Sequence, residues 1–278
     1  DEALEINPEL TFICNPSSFH IDPAIKALQS GSHVFIEKPL SNSLKGIEKL
    51  NEIAIKNKKI VYVGFQLRFN PVLNKLKDIL SKDIIGKLTS VRAEVCEFMP
   101  NFHKYEDYRD SYAAKEELGG GVILTQIHEL DYLSWIFGNP SKLVAYGNHS
   151  SDLEIDVEDN ATILMESIYN DNILPISLYM DYLQKPPRRS CIVFGTEGCI
   201  EASLKDLTLK VYSDDLLTNE YSWDGFERNQ QFVDQTENFV NAALNNKPPM
   251  VTLDQGINSL KTAIKIKESI LDNQSKIL

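Results

Sequence analysis

The sequence lacks long apolar segments and is short of basic residues. It contains no run of about 18 apolar residues, the least that a membrane-spanning helix needs, so no membrane span is predicted. Lysine and arginine number 28 against 40 aspartates and glutamates, which gives a formal net charge of -12. Proteins that bind DNA or RNA rely on clustered lysine and arginine, so this charge argues against a nucleic-acid partner.

Cysteine is also scarce, and the four that occur, Cys14, Cys96, Cys191 and Cys199, have no C-x-x-C spacing. This pattern is typical of neither a disulfide framework nor a zinc site, so no metal site is predicted and a reducing, cytoplasmic location is expected. Cys191 and Cys199 flank a predicted hairpin in which Phe194 faces Cys199. The two cysteines are then not opposite each other, and we expect both to lie in the core.

What the chain does contain is an ordinary globular composition, with 42% hydrophobic and 24% charged residues. Its 278 residues suggest one large or two medium domains. In the first part, apolar stretches at residues 10–14, around Val34 and at 60–65 predict strands, and helical spacing separates them at 21–30 and 43–58. This β-α-β-α-β order predicts parallel strands joined by right-handed crossovers.

The first sheet looks incomplete. Three parallel strands alone would leave one side of the sheet open, and no G-x-G-x-x-G pattern occurs in the chain. A βαβ unit takes roughly 30 residues, so about two units are expected to be missing before the first strand. Residues 1–6 resemble the end of a helix that leads into that strand. We therefore expect the sequence to be truncated at its N-terminus.

The remainder of the chain has a different pattern, in which strands follow one another with few helices between them. Helices are predicted at 71–81, 229–245 and 254–273, and strands at 88–98, 143–147, 160–167, 173–181, 191–194, 199–202 and 208–212. Successive strands of this kind predict a mostly antiparallel sheet in an α+β domain.

A strand rich in valine, phenylalanine and isoleucine ends on Glu37-Lys38-Pro39. Pro39 has no N–H to continue a strand ladder, so the strand is expected to stop there. Open parallel sheets place their functional groups just past the carboxyl ends of their strands, and a charged lysine in such a crevice is costly without a partner. The tripeptide alone also fits a solvated surface lysine. The rest of the sequence has to decide between a surface lysine and a functional one.

The triplet Gly119-Gly120-Gly121 opens a predicted helix that ends at Gly138. At about 100° per residue, apolar residues form one stripe of this helix, and the polar residues fall on the other face. Those polar residues are Thr125, His128, Glu129 and Tyr132. Such a face ordinarily faces solvent. No Lys-Ser/Thr follows the triplet, so we expect it to permit a close backbone approach and not to bind phosphate.

Four motifs occur in order along the chain: residues 15–20 (NPSSFH), 37–39 (EKP), 64–71 (GFQLRFNP) and 119–131 (GGGVILTQIHELD). Together they resemble the Gfo/Idh/MocA oxidoreductases, the family of glucose–fructose oxidoreductase and inositol dehydrogenase, over the whole chain. The resemblance implies a truncated α/β Rossmann-like parallel sheet in residues 1–68, the C-terminal part of a dinucleotide-binding domain. It implies an α+β substrate and oligomerisation domain in residues 69–278, and it places the glycine-rich pyrophosphate loop in the missing segment.

The resemblance also implies a cofactor, NAD or NADP, and a role for particular residues. Asn15, Pro16, His20, Glu37, Lys38 and Gln66 would bind the cofactor, and Lys38, Arg68, Tyr108, Arg109, Thr125 and His128 would bind the substrate. Lys38 and His128 would be catalytic: Lys38 would hydrogen-bond the substrate hydroxyl or carbonyl, and His128 would take its proton. Hydride leaves carbon only as the hydroxyl loses its proton, so a base that titrates near neutrality suits this reaction.

The sequence departs from the family pattern at one place. Family members usually carry an aspartate one turn before the histidine, and here that neighbourhood holds Leu124, Thr125 and Gln126. Thr125 can hydrogen-bond a sugar hydroxyl but cannot act as a carboxylate base. Asp131, one turn after His128, is the alternative residue for orienting the imidazole.

The resemblance predicts an NAD(P)-dependent oxidoreductase that acts on the CH–OH group or carbonyl of a sugar, polyol or nucleotide sugar. The alternatives are a non-catalytic sugar- or nucleotide-binding protein and a cofactor-assisted lyase or glycosidase. The segment 105–112 suits a sugar, with Arg109 able to bind a carboxylate or phosphate, although it fits a surface loop equally well. Tyr182 and the charge run 185–189 could also reach the site, but a solvated run is the simpler interpretation. A homo-oligomer through the antiparallel sheet is expected.

Overall fold

A computed structural model describes residues 2–103, 105–214, 216–245 and 247–278. The chain forms a three-stranded sheet followed by a nine-stranded sheet. Residue Asp1, with which the predicted N-terminal helix begins, lies outside the described residues. Within the described part of the chain, no helix is both long enough and apolar enough to span a bilayer.

The first sheet is parallel, with the order β1-β2-β3, as predicted. Its elements are α1 (Glu2–Glu5), β1 (Leu10–Ile13), α2 (Ile21–Gln29), β2 (His33–Ile36), α3 (Ile47–Asn57) and β3 (Val61–Val63). Short 3-10 helices at Ser17–Phe19 and Gln66–Phe69 follow β1 and β3. The carboxyl ends of the strands therefore open onto short loops at one edge.

Helix α3 begins later than residue 43, where its periodicity predicts it to begin. Gly46 precedes it in the left-handed region, with φ of 79°, and a Cβ at Gly46 would lie 2.8 Å from Ile21 Cγ2. Leu44 falls outside the helix and is 42% exposed. The turn needed to pack against α2 therefore sets the helix start, and a periodicity argument cannot detect it.

The second domain is built on a mostly antiparallel sheet, as predicted. Its first elements are α4 (Pro71–Leu80), β4 (Leu88–Cys96), α5 (Val122–Thr125), α6 (His128–Phe137), β5 (Pro140–Asn148), β6 (Asn160–Tyr169) and β7 (Asn172–Asp181). The remaining ones are β8 (Arg188–Gly195), β9 (Gly198–Ser203), β10 (Thr208–Ser213), β11 (Leu216–Ser222), α7 (Arg228–Asn245), α8 (Leu253–Asp272) and β12 (Lys276–Ile277).

The strand order of the large sheet is β11-β10-β9-β8-β4-β7-β6-β5-β12. Strands β4 and β7 are parallel, and the other described neighbours are antiparallel. As expected, Phe194 faces Cys199, and Cys191, opposite Ala202, is buried. Cys199 is only half-buried, and all four cysteines are free thiols.

The two faces of the large sheet differ. Helices α5, α6 and α8 cover the inner face. Large apolar side chains stand exposed on the outer face: Tyr146, Leu164, Ile168, Ile173 and Tyr179. The outer face is thus unusually apolar for a solvated surface.

Helices α7 and α8 join the domains. Phe239 of α7 contacts the rings of Phe12, Phe35 and Tyr62 in the first sheet, at centroid distances of 5.4 to 5.8 Å. Gly256 of α8 lies against Val63, because a Cβ there would meet Val63 Cγ2 at 2.5 Å. Phe12, Phe35 and Tyr62 are paired across the three strands, so α7 packs against one face of the first sheet, and α8 packs against β3.

Candidate active site

The loop after β2 carries Glu37 and Lys38 at the carboxyl edge of the first sheet. The Lys38–Pro39 peptide bond is cis. Gly64, just after β3, leaves room for Glu37, because a Cβ there would lie 3.1 Å from Glu37 Oε2. Burial raises the pKa of Glu37, and the charge of Lys38 opposes this shift. The main-chain amide of Lys38 donates to Glu37 Oε2 at 3.3 Å, which holds the carboxyl at the strand end.

His20 ties together the loops that follow β1 and β2. Its Nδ1 lies 2.9 Å from the Pro39 carbonyl oxygen, and its Nε2 lies 2.6 Å from the Asn15 carbonyl oxygen. Burial lowers the pKa of His20. Pro16 lies in the same loop, immediately before the 3-10 helix that leads to His20. The structure thus brings together Asn15, Pro16, His20, Glu37 and Lys38, five of the residues predicted to bind the cofactor.

The helix predicted to follow the glycine triplet is interrupted. Gln126 leaves helical geometry, with φ of -98° and ψ of 28°, and separates α5 from α6. The amide of Glu129 donates to the Gln126 carbonyl at 3.3 Å, so the Thr125 carbonyl lacks the intrahelical bond that an unbroken helix would give it. Lys38 Nζ donates to that carbonyl oxygen at 2.7 Å. The interruption therefore creates the acceptor that holds Lys38.

The glycine triplet serves the close backbone approach that was predicted for it. Gly119 has a φ of 85°, and a Cβ there would overlap the Ser17 hydroxyl. Ser17 Oγ lies 3.2 Å from the Leu118 carbonyl oxygen and 3.4 Å from that of Gly119, within donating range of both. The triplet thus brings the loop after β1 against the segment that leads into α5.

His128 is the first residue of α6 and is only 3% exposed. Its Nδ1 has no hydrogen-bond partner among the described residues, and its ring meets the Phe65 ring edge-on at 5.8 Å. Burial, followed by the charges of Lys38, Arg189 and Arg228, lowers the pKa of His128 well below its ordinary value. His128 is therefore neutral at physiological pH, and it is a weaker base than the group titrating near neutrality that was expected from the sequence.

The predicted solvent-facing side of this helix is buried, so that expectation was wrong. Thr125, His128, Glu129 and Tyr132 are all buried. Burial raises the pKa of Glu129, and Arg189 of β8 opposes this shift because it donates to the carboxyl twice, through Nε and Nη2, each at 2.8 Å. An arginine from a distant strand thus allows the polar side to be packed inside.

Asp131 was the alternative residue expected to orient the imidazole of His128, but it does not do so. Its two carboxylate oxygens accept from Arg68 Nε and Nη2, each at 2.8 Å, and both side chains are buried. Arg68 also stacks on Trp135, 4.9 Å from the ring centroid. The predicted substrate-binding Arg68 is thus engaged within the protein, and Gln66 lies buried in the same 3-10 helix.

The structure holds the predicted substrate residues Tyr108 and Arg109 in a separate loop. The Tyr108 hydroxyl accepts from the amide of Glu154 at 3.2 Å. Arg109, 51% exposed, donates to Asp107 at 2.9 Å and to Glu154 at 2.9 Å. These contacts tie loop 105–112 to residue 154, and Arg109 has no contact with Lys38 or His128.

The edge of the large sheet supplies further groups beside His128. Glu97 follows β4, Tyr182 follows β7 and Arg189 lies in β8. Gln126 Nε2 donates to Glu97 Oε2 at 3.3 Å. The Tyr182 hydroxyl is adjacent to that of Thr125, but neither hydroxyl meets full hydrogen-bond geometry with a described residue. The parallel pairing of β4 and β7, which local pattern does not reveal, brings these positions to one edge.

A parallel Rossmann-like sheet joined to a larger, mostly antiparallel domain is the two-domain architecture of dehydrogenases. Residues 1–65 match a model described as "Oxidoreductase family, NAD-binding Rossmann fold", and residues 73–201 match the "GFO/IDH/MocA C-terminal domain". The chain therefore belongs to the Gfo/Idh/MocA family of oxidoreductases, as the sequence motifs predict.

Individual relatives are distant. Inositol 2-dehydrogenase of Salmonella typhimurium is 26% identical over 232 residues, which cover 81% of this chain and 62% of the relative. Myo-inositol 2-dehydrogenase of Thermotoga maritima is 24% identical over 278 residues, which cover 97% of this chain and 79% of the relative. The chain spans only 34%, 39% and 62% of three other curated relatives that it matches.

The fold is also similar to solved structures. One is the WlbA dehydrogenase from Bordetella pertussis in complex with NADH and UDP-GlcNAcA, with a TM-score of 0.81 and 21% identity, covering 100% of this chain and 81% of that one. Another is aldose-aldose oxidoreductase from Caulobacter crescentus, with a TM-score of 0.84 and 18% identity, covering 99% of this chain and 82% of that one. These similarities establish the fold.

The residues at the carboxyl edge of the first sheet fit part of a dinucleotide. A cavity of about 660 Å³ runs along β1 and the loops that carry Ser18 and Asn42, and the buried Ser18 hydroxyl has no hydrogen-bond partner among the described residues. Ligands of open α/β sheets bind at this edge. No G-x-G-x-x-G loop, which would cradle a pyrophosphate, occurs in the sequence. The cavity and its unpartnered hydroxyl suit part of a dinucleotide, but none of the six residues predicted to bind the cofactor lines this cavity.

Proposed function

We propose that the protein transfers a hydride between NAD or NADP and a CH–OH group or carbonyl of a sugar, polyol or nucleotide sugar. The observation that carries the proposal is the pairing of Lys38 with His128. Lys38 Nζ is fixed on the Thr125 carbonyl at 2.7 Å, and His128, three residues further on, is neutral with an unpartnered ring nitrogen. A hydrogen-bond donor, the half-buried Lys38, and a proton acceptor, the buried His128, are thus held at the same interruption between α5 and α6.

In this proposal Asn15, Pro16, His20, Glu37, Lys38 and Gln66 hold the cofactor, whose nicotinamide supplies the hydride-accepting or hydride-donating carbon. During oxidation, Lys38 hydrogen-bonds the substrate oxygen and stabilises the negative charge that develops on it. His128 takes the hydroxyl proton as the C–H electron pair leaves with the hydride. In the reverse direction, His128 returns a proton to the carbonyl oxygen.

The names of relatives support the choice of substrate. Two of them are inositol dehydrogenases, and a structural neighbour was solved with NADH and UDP-GlcNAcA. Within the proposal, residues 1–68 belong to the cofactor domain and residues 69–278 to the substrate domain. The apolar outer face of the large sheet is the surface on which copies of the chain would pair. We also propose a cytoplasmic location, because the cysteines are free.

Alternative chemistry has some support of its own. A relative at 24% identity is named 2,7-anhydro-N-acetylneuraminate hydratase, which is the kind of protein expected if hydride transfer serves a lyase-type reaction. A non-catalytic binding protein is the other alternative. A sugar assay distinguishes these alternatives. A lyase-type enzyme would give a rearranged sugar without net cofactor reduction, and a binding protein would give no product at all.

The test uses the full-length protein with NAD+ or NADP+ and a panel of polyols, aldoses and nucleotide sugars, and it follows the absorbance of the reduced cofactor. We expect Lys38→Ala and His128→Ala to lower the rate by at least 100-fold, because proton transfer and oxyanion stabilisation each contribute about that much. Lys56→Ala, on the exposed side of α3, is the control and should behave as wild type. An unchanged rate in both active-site variants would remove the catalytic assignment.

A further inference from the structure

Glu158, which has no part in the reaction proposed above, packs against the start of α5. Its Oε1 accepts from the main-chain amide of Ile123 at 3.3 Å, and its carbonyl oxygen accepts from that of Val122 at 3.0 Å. Only 13% of its side chain is exposed. The first amides of a helix have no acceptor within the helix, and here one residue from outside α5 supplies the acceptors for two of them.

Two neighbours hold the carboxyl of Glu158 in place. On one side, Lys267 of α8 lies 3.5 Å from Oε2. On the other side, the bare backbone of Gly121 faces the carboxyl, because a Cβ there would overlap it. Burial raises the pKa of Glu158, and the charge of Lys267 opposes this shift. The carboxyl is therefore fitted between α8 and the glycine that precedes α5.

Helix α5 is so short that the position of its start determines the position of its end. It is a single turn, in which the Thr125 amide donates to the Gly121 carbonyl oxygen at 2.9 Å. The carbonyl oxygen of Thr125, at the end of that turn, accepts from Lys38 Nζ at 2.7 Å. Glu158 bonds to Ile123, and Lys38 bonds to Thr125 two residues later. A displacement at the Glu158 carboxyl would therefore reach Lys38 through a few main-chain atoms and one hydrogen bond.

We propose that Glu158 is a positioning residue for Lys38: its bond to the first turn of α5 sets the place of the Thr125 carbonyl that holds the lysine amino group. This inference rests on the proposed function, in which Lys38 hydrogen-bonds the substrate oxygen. The side chains of α5 are those of valine, isoleucine, leucine and threonine, so none of them is a carboxylate that could hold Lys38 itself. Misplacing a reacting group by about 1 Å can lower a rate about 100-fold, so the position of Lys38 bears directly on kcat.

The experiment measures steady-state kinetics of the full-length protein, with the sugar that the panel identifies, for wild type, Glu158→Ala and Glu158→Gln. Glu158→Ala removes the acceptor of the Ile123 amide, and we expect kcat to fall about 10-fold while KM for the cofactor stays within about twofold. Glu158→Gln keeps an oxygen that accepts from this amide and should retain at least about a third of kcat. The control is Glu268→Ala, which removes a 2.7 Å pair with Lys265 elsewhere on α8 and should behave as wild type. An unchanged kcat in Glu158→Ala would refute the proposal.

A double-mutant cycle shows whether Glu158 acts through Lys38. The effects of residues that act through each other are not additive, so Glu158→Ala should lower kcat by less than about twofold in the Lys38→Ala background. A merely structural role would lower kcat by the same factor in both backgrounds, and that result would refute the proposal. Glu158→Asp, which withdraws the carboxyl by one methylene, is used in the same cycle if Glu158→Ala does not fold.

Acylation of Lys38 separates failure of this inference from failure of the proposed reaction, because it needs no turnover. The N-hydroxysuccinimide ester of acetic acid labels amino groups, and peptide mass spectrometry follows the rate at Lys38, with the exposed Lys56 as the reference. We expect the rate at Lys38 to rise at least about threefold in Glu158→Ala, because a weakened hydrogen bond releases the amino group, and to stay unchanged in Glu158→Gln. Faster labelling without turnover by wild type would support the positioning role and refute the oxidoreductase proposal. Turnover by wild type with unchanged labelling in Glu158→Ala would support the reaction and refute the positioning role.

Discussion

Lys38 and Thr125, 87 positions apart, are joined by a 2.7 Å hydrogen bond from the lysine amino group to the threonine main-chain carbonyl oxygen. The bond links the strand-end loop of the first sheet to the break between α5 and α6. The acceptor is a backbone atom, so the position of Lys38 depends on the path of the chain and not on the side chain at residue 125. The absence of the usual family aspartate there is therefore compatible with an ordered Lys38.

Substitution of Thr125 separates the roles of its carbonyl and its hydroxyl. Thr125→Val keeps the carbonyl that holds Lys38 and removes a buried hydroxyl without a described partner. We expect kcat to stay within about threefold and KM to rise up to about tenfold, the loss of one hydrogen bond to substrate. Steady-state kinetics measure both. A fall in kcat as deep as that of Lys38→Ala would mean that the hydroxyl is needed for the chemistry.

The buried His128 makes oxidation depend on pH in a defined direction. Only the neutral ring accepts a proton, so kcat/KM should fall as pH drops through the pKa of His128. That pKa is lowered well below 6.5, so the acid limb should lie below pH 6.5. A pH–rate profile measures the limb, and His128→Asn should abolish it. An acid limb above 6.5 that survives in His128→Asn would assign the proton transfer to another group.

The same group links stability to pH. The unfolded chain binds a proton at His128 near the ordinary pKa of 6.5, and the folded chain binds it only at lower pH. The free energy of unfolding should therefore decrease as pH falls below 6.5, because the unfolded state binds more protons there. Urea unfolding at a series of pH values tests this. His128→Asn should flatten the slope in that window if His128 is its source.

The buried Arg68–Asp131 pair is expected to matter more than an exposed pair of similar length. Asp131→Asn leaves the Arg68 guanidinium buried without its counter-ion, and we expect a loss of about 3–5 kcal/mol in unfolding free energy. The control is Lys82→Ala, which removes a 2.8 Å surface pair with Asp78 and should cost less than about 1 kcal/mol. Equal losses in the two variants would contradict the role given to burial.

Substitution of two glycines with similar φ compares the cost of backbone strain with the cost of steric overlap. Gly31, with φ of 92°, has no atom within 4 Å of a built Cβ, whereas a Cβ at Gly121, with φ of 100°, would overlap the Glu158 carboxylate. Gly31→Ala should cost about 1–2 kcal/mol from strain alone. Gly121→Ala should cost a further 1–3 kcal/mol or so, from overlap with Glu158 together with a ψ of 151°, a combination with positive φ that essentially only glycine adopts. Thermal and urea unfolding of both variants measure the difference, and equal losses would show that Glu158 moves freely.

The fold was largely predictable, because hydrophobic periodicity and turn residues are local. The β-α-β-α-β order and the antiparallel series were both read from windows of a few residues. Strand β11 was missed because nearly all of its residues are exposed and show no alternation between buried and exposed positions. Residues 122–137 keep a helical period throughout, so the break at Gln126 could not be seen in the pattern.

The sequence motifs indicated which residues to propose for the candidate site, but they did not indicate which side chains bind to one another. Lys38 and His128 were identified by the resemblance. Asp131 was offered as the partner of His128, but its partner is Arg68, 63 positions away. Pairings of that length depend on how β8 and the 3-10 helix dock against α6, which is a property of tertiary packing.

The interruption between α5 and α6 also places two opposite helix ends side by side. The carbonyl end of α5 presents partial negative charge to Lys38, and the amino end of α6 presents partial positive charge at His128. A cation is thus stabilised at one end and disfavoured three residues later. The interruption between α5 and α6 therefore separates the hydrogen-bond donor, Lys38, from the proton acceptor, His128. No carboxylate is needed to distinguish the two roles.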